Sequence, residues 1–292
     1  TIDVNIDSNV DVAYIGENYK QGTNRKATMW RLTNIGGAVS LTELYNVDSA
    51  SDISKRITAS PSAAKDKKGN LWIYFGTGQF FGIGDRNQSD TGAFYGIKDG
   101  CWNGSCSTTY SNLLDVSDAV VGVGGGTVTG VTGASNWTEL LNTMSTKDGW
   151  AIYFNNMPAE TTDFLGNTLQ HQGERVTTKA AILKGLILFA TYIPGGDICT
   201  VEGTSNLYVL YYETGTAYKD YVFKKEKELA TPTVSRSALL GKGFPTSIGI
   251  AVTSEGKIKG FAQSSTGDIQ QIEEIGLKAQ RSGYVGWKAG GL

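Results

Sequence analysis

ITASPSAAKDKKGNLWIYFGTGQF (57–80), followed by AFYGIKDG (93–100), decides the fold. Small and β-branched residues come first, and a turn follows at Gly69. A nearly all-apolar run then ends near Phe75, and after a loop a third run alternates its two faces. Apolar runs of this length bounded by glycine turns read as strands, and the alternating run as a strand with one buried face. The order recurs in VTTKAAILKGLILFATYIPG (176–195) with NLYVLYYETG (206–215), turning at Gly185 and reaching Phe189. It recurs again in FPTSIGIAVTSEGKIKGFAQSSTG (244–267) with DIQQIEE (268–274), around Gly256 and Phe261. KDGWAIYFNNMP (147–158) is a weaker copy, and the opening fits as DVAYIG (11–16), a loop, then MWRLTN (29–34).

One small antiparallel sheet cannot bury both of its faces, but repeated sheets stacked radially cover one another. The expected architecture is therefore an all-β, modified β-propeller with long insertions between strands, formed by residues 1–292 as a single domain. A β-sandwich is the second choice. Residues 101–146 read as an insertion, with the glycine-rich run VGVGGGTVTGVTG (121–133) inside it. SNWTELLNTMSTKDG (135–149) reads as a short helix capped by Ser135, and EKELATPTVSR (226–236) as irregular. No interdomain linker, heptad repeat or long helix is evident.

Composition agrees. Glycine is abundant (38) and proline scarce (5) among 292 residues, and 40% are hydrophobic, enough for a sizeable core. With 26 Lys and Arg against 28 Asp and Glu, and no dense basic block, a nucleic-acid partner is disfavoured. No apolar run approaches the roughly 20 residues of a membrane helix, and the polar, acidic start is unlike a signal peptide. Cys101 and Cys106 bracket the short loop CWNGSC, either as a local disulfide, as suits an exported protein, or as free thiols; Cys199 is left over.

The chain opens TIDVNIDSNVD, with Asp3, Asn5, Asp7, Asn9 and Asp11 on alternate residues. Three carboxylates so close together repel one another, and a hard cation would compensate. Ca²⁺ takes six to eight oxygen ligands, and a tight loop with alternate side chains turned inward supplies them. Positions 1, 3 and 5 match the EF-hand loop, but Ser8 stands in place of its glycine and Tyr14 in place of its bidentate glutamate. Asp11 must then close the shell, with Asn9 offering its backbone carbonyl. The alternative is a solvated polar turn.

These stretches together resemble the C-terminal domain of PilY-type type IV pilus biogenesis proteins. The opening is similar to that family's D-x-N-x-D-x-x-x-D calcium loop leading into a v-Y-x-G strand, and MWRLTN to a later LWR-type strand. ASPSAA…NLWIYFGTGQFFGIGD…FYGI resembles its most recognisable block, and GERVTTKAAILKGLILFATYIPGGDIC…SNLYVLYYETG a second one. The matches keep their order along most of the chain. The resemblance implies a quinoprotein-like propeller with a calcium site at its edge, held by Asp3, Asn5, Asp7, Asn9 and Asp11. It also implies a cell-surface or pilus-tip location and a role in pilus biogenesis, control of retraction, and adhesion or surface sensing. The implied partners are minor pilins or an N-terminal adhesive region of the same precursor. Thr1 is accordingly expected to mark a C-terminal fragment or a processed product. CWNGSC and the glycine-rich run depart from the family pattern, and no RGD tripeptide is present.

Other constellations read blandly. His171, the single histidine, sits in the polar stretch LGNTLQHQGER and is expected on the surface, which leaves no catalytic triad or histidine-rich metal site. GVGGGTVTG (122–130) lacks the Lys-Ser/Thr ending of a phosphate loop and is expected to be a flexible surface loop. Asp115 with Asp118, and Glu273 with Glu274, read as solvated charge rather than a glycosidase pair. Trp30, Trp72 and Trp150 read as packing between sheets, while for Trp102, in the cysteine loop, an exposed contact point is the second choice. The expectation is a protein that is not an enzyme; a quinone-dependent periplasmic oxidoreductase and a structural subunit of an extracellular assembly are the alternatives.

Overall fold

The structure is a computed structural model that describes residues 1–3, 10–21, 24–35, 38–47, 56–86, 91–195, 203–252, 258–267, 269–272 and 283–284. It is mostly β. The first sheet is a meander of β1 (Val12–Gln21), β2 (Asn24–Ile35) and β3 (Ala38–Asn46). The next strands are β4 (Ser62–Lys65), β5 (Leu71–Gly76) and β6 (Ala93–Asp99). The segment 101–146 supplies β7 (Leu113–Asp115), β8 (Val120–Gly122), β9 (Val128–Thr129) and helix α1 (Trp137–Ser145). Strand β10 (Gly149–Tyr153) follows, then the small hairpin β11 (Glu160–Thr162) and β12 (Thr168–Gln170).

The chain continues through β13 (Ala181–Leu183), β14 (Leu186–Ile193) and β15 (Thr204–Tyr211) to a short helix α2 (Lys224–Leu229). It then forms β16 (Thr233–Val234), β17 (Ser237–Lys242), β18 (Gly249–Val252), β19 (Ile258–Gln263), β20 (Ile269–Ile272) and β21 (Gly283–Tyr284). The second sheet has the order β21-β4-β5-β6-β10-β7 and the third β13-β14-β15-β17; β18-β19-β20 and β16-β8-β9 are three-stranded.

The second sheet is apolar on both faces because it is covered on both. Leu71, Ile73 and Phe75 of β5 join Val12, Tyr14, Met29, Leu44 and Tyr45 of the first sheet in one core cluster. Trp72 and Tyr74, the alternate residues of the same strand, join Phe189 and Tyr208 of the third sheet in another. Successive side chains leave a strand on opposite faces, so LWIYFG is buried throughout. Rings bridge the layers: Tyr45 meets Tyr95 at 5.2 Å between centroids, and Phe94 stacks on Phe189 at 3.8 Å. Each such ring removed from water stabilises the fold by about 1.5–3 kcal/mol. Polar atoms reinforce the seam, since Trp150 Nε1 and Tyr74 Oη both donate to the Tyr212 carbonyl at 3.1 Å.

Four local expectations are corrected. The copy at 147–158 does not start a sheet of its own: β10 pairs antiparallel with β6, and the insertion separates in sequence two strands adjacent in space. The opening has no long loop between residues 16 and 29, because β1 and β2 run as a ten-pair ladder from Val12↔Thr33 to Gln21↔Asn24. Helix α1 is capped by Asn136, whose side chain accepts the Glu139 N–H; Ser135 instead donates its N–H and hydroxyl to the Glu139 carboxylate. Residues 226–236 hold most of α2 and all of β16.

The glycine-rich run is pinned rather than free. Val121, Val128 and Val131 are buried, and the N–H groups of Val123 and Gly124 donate to Pro232 and Lys219 carbonyls. Gly125, at φ +74°, lies against Trp137, where a Cβ would collide with the tryptophan side chain.

Candidate functional site

The acidic loop is closed at its base. Ile2 and Val12 form an antiparallel bridge. The Ile2 N–H donates to the Val12 carbonyl at 2.8 Å, and the Asp11 N–H returns to the Ile2 carbonyl at 3.0 Å. Ile2 and Val12 are both buried, so the first-sheet core grips the two ends of the nine-residue loop. The Asp11 carbonyl accepts the Asn34 N–H from β2, which ties that end to a second strand. Asp3 and Asp11 are half-buried and flank this closure. Asn5, Asp7 and Asn9 lie outside the described residues. The loop's potential donors are three carboxylates, two amides and backbone carbonyls, all oxygen ligands of the kind a hard divalent cation takes.

Ile2 also lines a cavity of about 720 Å³. The cavity opens where β4, β13 and β18 begin, with Ser62, Ala181 and Ile250 on its walls together with Tyr14 of β1. Lys179 is the only charged side chain among its described lining residues. The Ser62 hydroxyl donates to the Ala180 carbonyl at 2.6 Å, fixing β4 against the start of β13.

Between the first and second sheets lies a buried ionic centre. Arg31 and Asp99 are both fully buried and meet at 2.6 Å. Asp99 also accepts from Tyr14 Oη at 2.6 Å, the Cys101 N–H at 2.8 Å and Tyr110 Oη at 3.2 Å. Arg31 also donates from Nε to Thr42 Oγ1 and from Nη2 to the Thr108 carbonyl. Burial first, and then the Asp99 charge, push the Tyr14 hydroxyl pKa well above the usual phenol value. Cys101 and Cys106 form a disulfide beside this centre, with Cα atoms 5.0 Å apart. Trp102, between them, is half-buried under Lys65, whose Nζ lies 5.3 Å from the ring centroid.

His171 overturns its surface assignment. It is fully buried, with Nδ1 2.7 Å from Glu174 Oε2 and Nε2 2.8 Å from Thr161 Oγ1. Glu174 further accepts from Thr191, Asn206 and Tyr208. The pattern H-x-x-E, followed by strands bearing inward polar residues, was the available signal; a polar stretch concealed it. Trp72 and Trp150 pack between sheets as expected, whereas the half-buried Trp30 donates to Glu17 at the surface. Asp115 holds the Ser117 N–H and hydroxyl and the Asn156 amide, a structural use of the carboxylate. Glu273 and Glu274 lie outside the described residues, as does Cys199.

A repeated turn escaped the sequence reading. Asp66 and Asp163 each open a D-x-x-G-N stretch. Asp66 accepts the N–H groups of Lys68 and Asn70 and the Trp72 indole; Asp163 accepts those of Leu165 and Asn167 and reaches Leu239. The glycines adopt φ +88° and +83°.

No protein-family model matches the chain. A type IV pilus biogenesis factor PilY1 homolog of Xylella fastidiosa (strain Temecula1 / ATCC 700964) is 27% identical over 247 residues, which cover 84% of this chain and 18% of that protein. A second PilY1 homolog of the same organism is 28% identical over 167 residues, covering 55% of this chain and 10% of the relative. The chain thus spans less than a fifth of the length of the curated relatives it matches. The crystal structure of the Pseudomonas aeruginosa PilY1 C-terminal domain aligns with a TM-score of 0.55 over 91% of this chain and 62% of that one. At 16% identity this is a likeness of fold.

Proposed function

Taking this chain as one that resembles PilY-type C-terminal domains, we propose that it is a calcium-binding, non-enzymatic β-propeller of a type IV pilus-associated protein. It acts in pilus biogenesis, control of retraction, and adhesion or surface sensing. Residues 1–292 form a single propeller domain, in which the stacked sheets are blades and their first strands surround the axial cavity. Minor pilins, or an adhesive region of the same precursor, are its partners, and its place is the cell surface or pilus tip.

The observation that carries the calcium reading is the closure of the acidic loop by the Ile2–Val12 bridge. Asp3, Asn5, Asp7 and Asp11 would hold the ion through side-chain oxygens and Asn9 through its carbonyl. Bound there, the ion would neutralise the clustered carboxylates and order the loop on the first sheet. The non-enzymatic reading is supported by the full burial of the single histidine, whose two ring nitrogens are both engaged, by Glu174 and Thr161.

Calorimetric titration of the chain with Ca²⁺ should give saturable heat that Asp7→Ala loses; equal heats from both refute the metal site. The pilus reading is tested separately by immunogold labelling of piliated cells. Gold at pilus tips supports it, label repeated along the filament favours a structural subunit, and gold only away from pili contradicts it.

A further inference from the structure

We propose that the Cys101–Cys106 disulfide is a redox-controlled clasp on the first sheet, opened by thiol attack at Cys106. The two sulfurs differ in access: Cys101 is buried, whereas Cys106 lies in the exposed stretch 103–109. Thiol–disulfide exchange requires a thiolate to reach one sulfur, so the incoming thiol meets Cys106 first. With a dithiol reductant, one thiolate bonds to Cys106 Sγ while the Cys101–Cys106 bond breaks and Cys101 leaves with the electron pair. The second thiolate then closes the reductant into its own cyclic disulfide and expels Cys106. The reductant supplies two electrons, and water protonates both cysteines. A small dithiol or a dithiol oxidoreductase is the chemical class that fits.

The consequence follows from what the exposed stretch holds. The Thr108 carbonyl accepts from Arg31 Nη2 at 3.4 Å, Thr109 Oγ1 donates to the Glu43 carbonyl at 3.1 Å, and the Tyr110 N–H donates to the Leu44 carbonyl at 2.9 Å. These three successive residues tie the stretch to β2 and β3. Tyr110 Oη also lies 3.5 Å from Cys101 Sγ and 3.2 Å from Asp99. The disulfide closes one end of this strap onto Cys101, whose own N–H is held by Asp99. Once it opens, residues 103–109 lose their covalent anchor, and buried Arg31 loses a carbonyl partner that burial makes costly to forgo. The first sheet then separates more readily from the second.

Hydrogen exchange on the full chain reads this directly, with no calcium present. After treatment with dithiothreitol, and with both thiols verified by alkylation mass, amides of 12–46 should exchange roughly thirtyfold faster or more, the low end of what a native disulfide contributes. Amides of β14 and β15 should change far less. Cys106→Ser should reproduce the reduced pattern without reductant. Equal exchange of 12–46 in oxidised and reduced chains overturns the proposal. So does uniform acceleration of every strand, which would mark a global staple rather than a clasp on one sheet.

Discussion

At the scale of single residues, the buried charges are the most consequential choices in the chain. Arg31 stands in the middle of β2, and Asp99 ends β6, with nothing in their local sequence to mark either as buried. Their meeting at 2.6 Å, with the hydrogen bonds each makes besides, is what makes two fully buried charges tolerable. Arg31→Ala should therefore lower unfolding free energy by about 3–5 kcal/mol in urea titration, because Asp99 is left buried without its cation. Adding Asp99→Ala should cost much less than a second independent loss.

Glu226, fully buried on α2, behaves differently. Burial raises its pKa, and the Ser235 N–H, donated at 2.6 Å, only partly offsets that. With the folded value above the unfolded one, the group favours the fold at low pH, and this contribution fades as pH rises through the raised value. Glu226→Gln should accordingly gain stability over the parent at pH 8 and little or none at pH 4, read from urea midpoints at the two pH values.

At the scale of elements, glycine and tryptophan fix how the second sheet meets the third. Gly96 on β6 pairs with Trp150 on β10, and a Cβ there would run into the indole; Gly215, at φ +69°, approaches the same ring. Gly96→Ala should destabilise the fold by about 1–3 kcal/mol and weaken the near-ultraviolet dichroism of the tryptophans.

The long apolar strands were legible, since glycine turns and apolar runs are local signals, whereas the two- and three-residue strands β8, β9 and β16 were not. LWIYFG, LILFATYI and NLYVLY lie in strands as expected. Their grouping was not legible. Pairing between β6 and β10 spans an insertion, and the burial of His171 rests on Glu174 three residues on and on partners from 161 to 208. Such contacts exist only once the chain has folded back. The cap at Asn136 went to the neighbouring serine because both residue types suit an N-cap; the Glu139 carboxylate, reaching back to Ser135, decides between them.

At the scale of the whole molecule, covered sheets explain the composition. A sheet packed on both faces needs apolar residues at every position of its central strands, and aromatic rings fill the space between layers. The outer face of the first sheet is the contrast: Ile15, Val39 and Leu41 are exposed there, at 50%, 66% and 56%. The same sheet carries the base of the acidic loop, wall residues of the cavity, and the ionic centre beside the disulfide. The loop motif was legible as five spaced oxygen donors, and the structure adds the bridge that shuts it. Of the five, Asp3 and Asp11 lie beside that bridge.

If an ion seats in the loop, it binds the folded chain and not the unfolded one. It should then add RT ln(1 + [Ca²⁺]/Kd), about 2.7 kcal/mol at a hundredfold excess over Kd. The most direct measurement is a pair of thermal melts, in millimolar Ca²⁺ and in EDTA, for the parent chain and Asp7→Ala. A melting temperature that calcium raises in the parent and leaves unmoved in the variant is the predicted result. Parent curves that superimpose in the two buffers would contradict it.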